Sequence, residues 1–176
     1  MLEVIQDDIS KLNVDAIVNA ANSGLRGGGG VDGAIHRAAG NQLLDECRTI
    51  IEKIGSLPVG EAVITRGYNL PAKYVIHTVG PYWNGGNNNE PQKLYNAYYN
   101  SLRLAAENNV KTIAFPNIST GVYRYPKKDA VAIAFEAVSN FLKIDMFIDS
   151  VYFCCFDDEN YFLYLEKIKS LNKYGH

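Results

Sequence analysis

The chain has 176 residues, 47% of them hydrophobic and 20% charged, with a formal net charge of −2 and a pI of about 5.9. That length predicts one domain over residues 1–176 with a sizeable core, and the charge gives no reason to expect a nucleic-acid partner. No apolar run approaches the ~20 residues of a membrane span, and the N-terminus has no basic region ahead of an apolar one, so no membrane partner and a cytoplasmic location are expected.

Leu2 to Gln6 reads as a short strand ending in the acidic pair Asp7 and Asp8, and Ala16 to Val18 as a second, a compact apolar run suited to a sheet covered on both faces. A loop runs from Asn19 to Gly33. From Val31 the spacing of Ile35, Ala38 and Ala39, then Leu43, Leu44 and Cys47, predicts helix, with Gly40 dividing two pieces. Ala62 to Ile64 and Tyr74 to Val79 are strands, the second stopped by Gly80-Pro81. Residues 83–91 form a polar loop, expected to be the most mobile part.

A helix with Leu94, Tyr98, Leu102 and Ala105 inward comes next, then a strand, Thr112 to Phe115, and a second unusual loop, Pro116 to Pro126. The following helix has the clearest period, from Ala130 to Phe141. Ser150 to Phe156 is a last strand, and Asp157 or Asp158 is placed to cap a final helix with Tyr161, Tyr164, Leu165, Ile168 and Leu171 as its stripe. Strands alternating with helices predict an α/β three-layer sandwich, whose ligands bind beyond the carboxyl ends of the strands. The loops 19–33 and 116–126 and the pair Phe156-Asp157 all follow strands, so three strand exits are expected to converge on one cleft.

Four consecutive glycines, Gly27 to Gly30, have no packing purpose, because each raises the entropy cost of folding. Glycines do permit close backbone approach to a ligand, with amides turned toward an oxyanion. Gly28, Gly30 and Gly33 have dinucleotide-fingerprint spacing, but eight residues, Ala20 to Gly27, separate them from the strand that should immediately precede them, and no Lys-Ser or Lys-Thr makes a P-loop. An NAD-dependent oxidoreductase therefore rests on spacing alone.

Asp32, in a first helical turn, suits both a dipole-stabilised acid and a general base. Asn22 suits either a loop tie or a ligand contact, and Asn19 a loop tie. Ser119-Thr120-Gly121 reads as a phosphate nest or a plain turn, with Arg124, Lys127 and Lys128 lending positive charge nearby. Phe156 is either core or a stacking surface. Cys47, Cys154 and Cys155 make no disulfide framework or zinc spacing, so each is expected buried and reduced. His36, His77 and His176 show no ligand-like spacing, and no metal is expected.

Two motifs carry a resemblance that covers nearly the whole chain. Asn22, six residues, then Gly29-Gly30-Val31-Asp32 is one, and Ser119-Thr120-Gly121-Val122-Tyr123 is the other. With Ile17 to Asn22, Gly33 to Gly40 and His77 to Pro81 in support, the sequence resembles a macrodomain of the MacroD type, the branch that includes bacterial O-acetyl-ADP-ribose deacetylases.

The resemblance implies a three-layer α/β/α sandwich with a central mixed sheet, and a metal-independent hydrolase with no cofactor. It implies ADP-ribose and its esters as ligands, including O-acetyl-ADP-ribose and proteins mono-ADP-ribosylated on Asp or Glu. Asp8 would accept from the adenine amino group, with the Ile9 amide beside it and Phe156 along the ring. Gly29, Gly30, Val31 and the stretch Ser119, Thr120, Gly121, Val122, Tyr123 would hold the diphosphate, with Tyr123 walling the ribose pocket. Asn22 would hold the distal ribose and Asp32 would orient or deprotonate the water.

Where the family commonly has Gly before the adenine acid stands Asp7, expected to face solvent. The Cys/His zinc pattern of the metal-dependent macrodomains and the Gln-Glu-Glu signature of poly(ADP-ribose) glycohydrolases are both missing from the sequence, so chain-shortening is not implied. The rival reading is a module that binds ADP-ribose without turnover, which needs the phosphate loops but not the pair Asn22 and Asp32.

Overall fold

A computed structural model of the chain describes residues 1–173; His176 lies outside them. Six strands, β1 (Leu2–Gln6), β2 (Ala16–Ala20), β3 (Ala62–Arg66), β4 (Tyr74–Thr78), β5 (Thr112–Phe115) and β6 (Ser150–Cys155), form one sheet in the order β1-β6-β5-β2-β4-β3. All neighbours are parallel except β3, which pairs antiparallel with β4 at one edge. The sheet is therefore mixed, and the exits of its five parallel strands lie along one rim.

Five helices cover it: α1 (Gly30–Ala39), α2 (Asn41–Ile54), α3 (Glu90–Glu107), α4 (Lys127–Ile144) and α5 (Asp158–Lys173). Alternation along the strands divides the core into two layers. Ala16 and Val18 of β2, Ile76, Ile113, Phe115, Val151 and Phe153 pack beneath α3, α4 and α5. Ile17, Val75, Ala114 and Cys154 point the other way, toward Ile35, Leu43 and Cys47 of α1 and α2. This is the three-layer sandwich that the strand–helix alternation predicts.

Some boundaries differ from the sequence reading. β2 runs two residues past Val18, because Asn19 and Ala20 stay in the ladder opposite His77 and Thr78. Val79 and Phe156 fall just outside their strands, and α1 begins at Gly30 rather than Val31. Gly40 divides α1 from α2 as expected. Asp157 accepts from the Asn160 amide at 2.7 Å and caps the start of α5.

The segment before α3, expected to be the most mobile, is wound around one carboxylate. Glu90, only 1% exposed, accepts from the amides of Asn84 (2.8 Å), Gly86 (2.9 Å) and Asn88 (2.6 Å). Desolvation alone would raise this acid, but the backbone amides outweigh it and bring it down to about 2.

Candidate active site

The exits of β1, β6, β5 and β2 carry, in that spatial order, the residues singled out in the sequence. At the β1 exit Asp8 caps a 3-10 turn, Ile9–Lys11, with Oδ1 accepting from the Ser10 amide (3.0 Å) and hydroxyl (2.6 Å). The Ser10 hydroxyl is the main reason its carboxyl is held below the usual value. Ile9 is buried beneath it. Asp7 is exposed, as expected, but not idle: its Oδ1 accepts from the Asp8 amide at 2.7 Å. Phe156, at the next exit, is 86% exposed, so it is not core.

Beyond β5 the chain turns tightly, with the Tyr125 amide donating to Ser119 O (2.9 Å) and the Arg124 amide to Gly121 O (3.0 Å). Ser119 has φ +68, an unfavoured backbone for a residue with a side chain. Val122 stands out at 88% exposure and Thr120 donates to Asn117 O at 3.4 Å. Gly80, from the β4 exit, backs this turn: a Cβ there would overlap Ser119 Oγ and lie 2.5 Å from Ile118 Cγ2. Lys127 does not serve the loop as its position suggested. Its Nζ pairs with Glu159 (3.0 Å) and Asp157 (3.8 Å) at the start of α5.

At the β2 exit Asn22 ties its own loop, donating from Nδ2 to Gly27 O (2.9 Å) and accepting at Oδ1 from the Arg26 amide (3.0 Å). One amide proton and one lone pair of that side chain remain for a ligand. Gly29 takes the cap position of α1, leaving the amides of Gly30, Val31 and Asp32 without intrahelical acceptors. Gly33 keeps the loop folded against the helix, since a Cβ there would strike the Gly28 carbonyl.

Asp32 is 6% exposed. Its Oδ1 accepts from Asn19 Nδ2 at 2.8 Å and lies 3.4 Å from His36 Nε2, one helical turn on. Oδ2 is turned toward the glycine loop, 3.6 Å from where a Gly28 Cβ would stand. Burial raises its pKa, with the Asn19 hydrogen bond and His36 opposing.

Asn19 is therefore not the loop tie expected of it. It is fully buried, on the α1 face of β2, and its Nδ2 also donates to His77 Nδ1 at 3.1 Å. An unprotonated Nδ1 puts the His77 proton on Nε2, which donates to Thr65 Oγ1 at 3.0 Å, with Cys47 Sγ at 3.9 Å. Burial and, less, His36 push the His77 pKa down to about 3, so the ring is neutral.

Sequence reasoning gave Asn19 only a loop role and His36 and His77 no ligand role, and it passed over Tyr82. The i,i+4 spacing of Asp32 and His36 was a signal for one of them. Tyr82 stacks on Tyr123 at 3.8 Å between centroids, and burial pushes the Tyr123 phenol up to about 12. All three cysteines are free and buried. Among the described residues no cluster of His, Cys, Asp or Glu is placed to hold a metal, and no helix is long and apolar enough to cross a membrane.

The chain is similar to known proteins in sequence and in fold. The Macro domain family matches residues 18–134. A macro domain-containing protein of Cupriavidus necator is 56% identical over 95% of the chain and 96% of its own length. A protein of Escherichia coli named O-acetyl-ADP-ribose deacetylase is 56% identical over 93% of the chain and 92% of its own. Among solved structures, a mutant Oceanobacillus iheyensis macrodomain with ADPR superposes with a TM-score of 0.93 at 44% identity, covering 98% of this chain and 94% of that one. The chain belongs to the macrodomain family.

Proposed function

We propose that residues 1–176 are one macrodomain that hydrolyses esters of ADP-ribose, both O-acetyl-ADP-ribose and mono-ADP-ribose on protein Asp or Glu side chains. The acetyl ester is supported by relatives 56% identical that are named for that activity. The protein ester rests on the same bond being presented to the same residues. One observation carries the catalytic reading: a buried carboxylate, Asp32, with Oδ1 anchored by Asn19 and Oδ2 turned toward the glycine loop.

Asp8 receives the adenine amino group and Phe156 lies along the ring. The diphosphate rests on amides from Gly29 to Asp32 and from Ser119 to Tyr123, where a helix N-terminus and a nest favour anions. Asn22 meets the distal ribose with its spare donor and acceptor. Asp32 Oδ2 takes a proton from water while Asn19 and His36 hold Oδ1, and its raised pKa brings a carboxylate nearer the range useful to a base. The water oxygen bonds to the ester carbonyl carbon, the bond from that carbon to the ribose oxygen breaks, and that oxygen leaves protonated. The products are a carboxylic acid and ADP-ribose.

The test follows ADP-ribose release from a glutamate-modified protein and from O-acetyl-ADP-ribose. Asp32→Ala should lower release about 10²–10⁴-fold, the range of a lost general base, and Asn22→Ala should lower it as well. Wild-type binding without release from either substrate would overturn the hydrolase and leave a reader module.

A further inference from the structure

The ligand contacts proposed above follow the rim of the sheet in order: Asp8 after β1, Phe156 after β6, residues 119–123 after β5, Asn22 and Asp32 after β2. The next exit is that of β4, which leads into Gly80-Pro81-Tyr82. A cavity of about 490 Å³ opens there, lined by Val59, Pro81, Tyr82, Asn84, Asn88 and Lys93 among others. It is open to solvent rather than enclosed.

Its walls are tied to the ribose end of the site. The Leu57 amide donates to Ser23 O at 2.8 Å, Gly60 to Val79 O at 2.8 Å, and Trp83 to Tyr123 O at 2.9 Å. The Tyr82 ring forms the partition, stacked on Tyr123 yet 60% exposed. The Glu90 carboxylate gathers the amides of the asparagine-rich loop, so this wall is shaped before any ligand arrives. Those amides occupy Glu90, and Lys93 brings a cation to the lining.

We propose that this cavity receives the polypeptide that carries the esterified side chain, an acidic segment held by Lys93 and by the side chains of the lining asparagines, whose backbone amides Glu90 already engages. The proposal rests on the protein-ester reading above. A ligand laid along the exits with its ester over Asp32 must send its acyl side toward the next exit. An acetyl group extends the ester by two carbons, whereas a peptide continues well beyond it along the same path. The cavity thus separates the two ester substrates: the peptide uses it and the acetyl ester does not.

The test compares kcat/KM for an acidic peptide ADP-ribosylated on glutamate with that for O-acetyl-ADP-ribose, in wild type, Lys93→Glu and Val59→Trp. Lys93→Glu reverses a partly exposed charge and should lower peptide turnover about 5-fold. Val59→Trp fills the cavity from an exposed position and should lower it about 10-fold or more. Both should leave the acetyl ester within about 2-fold, the scatter of distant surface changes. Variants that match wild type on both substrates, or lose both equally, would overturn the cavity and leave the hydrolase standing. A wild type that deacetylates but releases nothing from the peptide would overturn the protein-ester reading and the cavity with it.

Discussion

Replacing His77 by Leu tests whether the sheet beneath Asp32 is a hydrogen-bonded device or only packing. His77 is fully buried and accepts from Asn19 Nδ2 at 3.1 Å. Leucine fills the ring's space and removes the acceptor, leaving a buried amide N–H without a partner. Thr65 keeps a backbone carbonyl partner at 3.2 Å, so Asn19 supplies the one clear orphan. That orphan costs about 1–3 kcal/mol. For a chain of this size each kcal/mol moves Tm by about 2–4 °C, so at pH 7.5 the variant should melt about 2–12 °C lower. Release of ADP-ribose should also fall, because Asn19 is no longer held against Asp32.

The pH dependence carries the sharper test. Burial lowers the His77 pKa from 6.5 to about 3, so only the neutral ring is compatible with the fold. The stability this neutral ring contributes is present above pH 6.5 and lost as pH falls toward 3, because the unfolded chain takes up a proton that the folded one refuses. At about 1.4 kcal/mol per unit once the unfolded chain is mostly protonated, the wild type should lose about 2 kcal/mol between pH 6.5 and 4.5 through this group. His77→Leu has no such proton, so its deficit in Tm should shrink steadily over the same interval, while titrations away from Asp32 and His36 cancel in the difference. Differential scanning calorimetry at half-unit steps measures it. A deficit that stays constant from pH 7.5 to 4.5 would refute the reasoning.

Asp32→Asn keeps an acceptor for Asn19 and removes a buried charge. A raised carboxyl pKa means stability that is present below the ordinary 3.8 and lost as pH rises through the folded value. The variant should release ADP-ribose about 10²–10⁴-fold more slowly, bind it still by calorimetry, and melt at or above wild type at pH 7.5, with the gain vanishing below pH 4. Gly80→Ala drives a methyl into Ser119 Oγ and Ile118; overpacking of about 1–3 kcal/mol should lower Tm, and calorimetry should show weaker ADP-ribose binding as the 116–126 turn shifts. Phe156→Ala should leave Tm unchanged, the ring being 86% exposed. If the ring stacks on adenine, its loss should weaken ADP-ribose about 5- to 150-fold, equivalent to ~1–3 kcal/mol of base–aromatic stacking.

The buried strands were legible because a sheet covered on both faces needs continuous apolar runs, and Ile17-Val18, Val75-Ile76 and Ile113-Ala114 are such runs. The helices announced themselves by period, and Gly40 marked the break between two of them. Roles set by distant partners were not legible. Lys127 sits in sequence beside the 116–126 turn, but Glu159 and Asp157, about thirty residues on, draw its charge away. Whether Phe156 was core or surface depended on the strand ending one residue earlier, at Cys155.

Asn19 shows most plainly why local pattern could not reach the site. A polar residue at the end of an apolar run signals the strand's end, yet β2 continues through it because its side chain is satisfied from elsewhere. The register that pairs Asn19 with His77 puts both side chains on the α1 face, since strand side chains alternate. There Nδ2 donates both its protons, one to His77 and one to Asp32, while Oδ1 is left without a partner. A flipped amide would set Oδ1 against the Asp32 carboxylate and against the lone pair of His77 Nδ1. The polarity of the bond to Asp32 is thus fixed by the tautomer of His77, the tautomer by the proton that Nε2 gives Thr65, and their meeting by the pairing of β2 with β4 and β4 with β3. A one-residue slip of β2 against β4 would turn Asn19 to the other face, leaving Asp32 buried with its charge and without its donor.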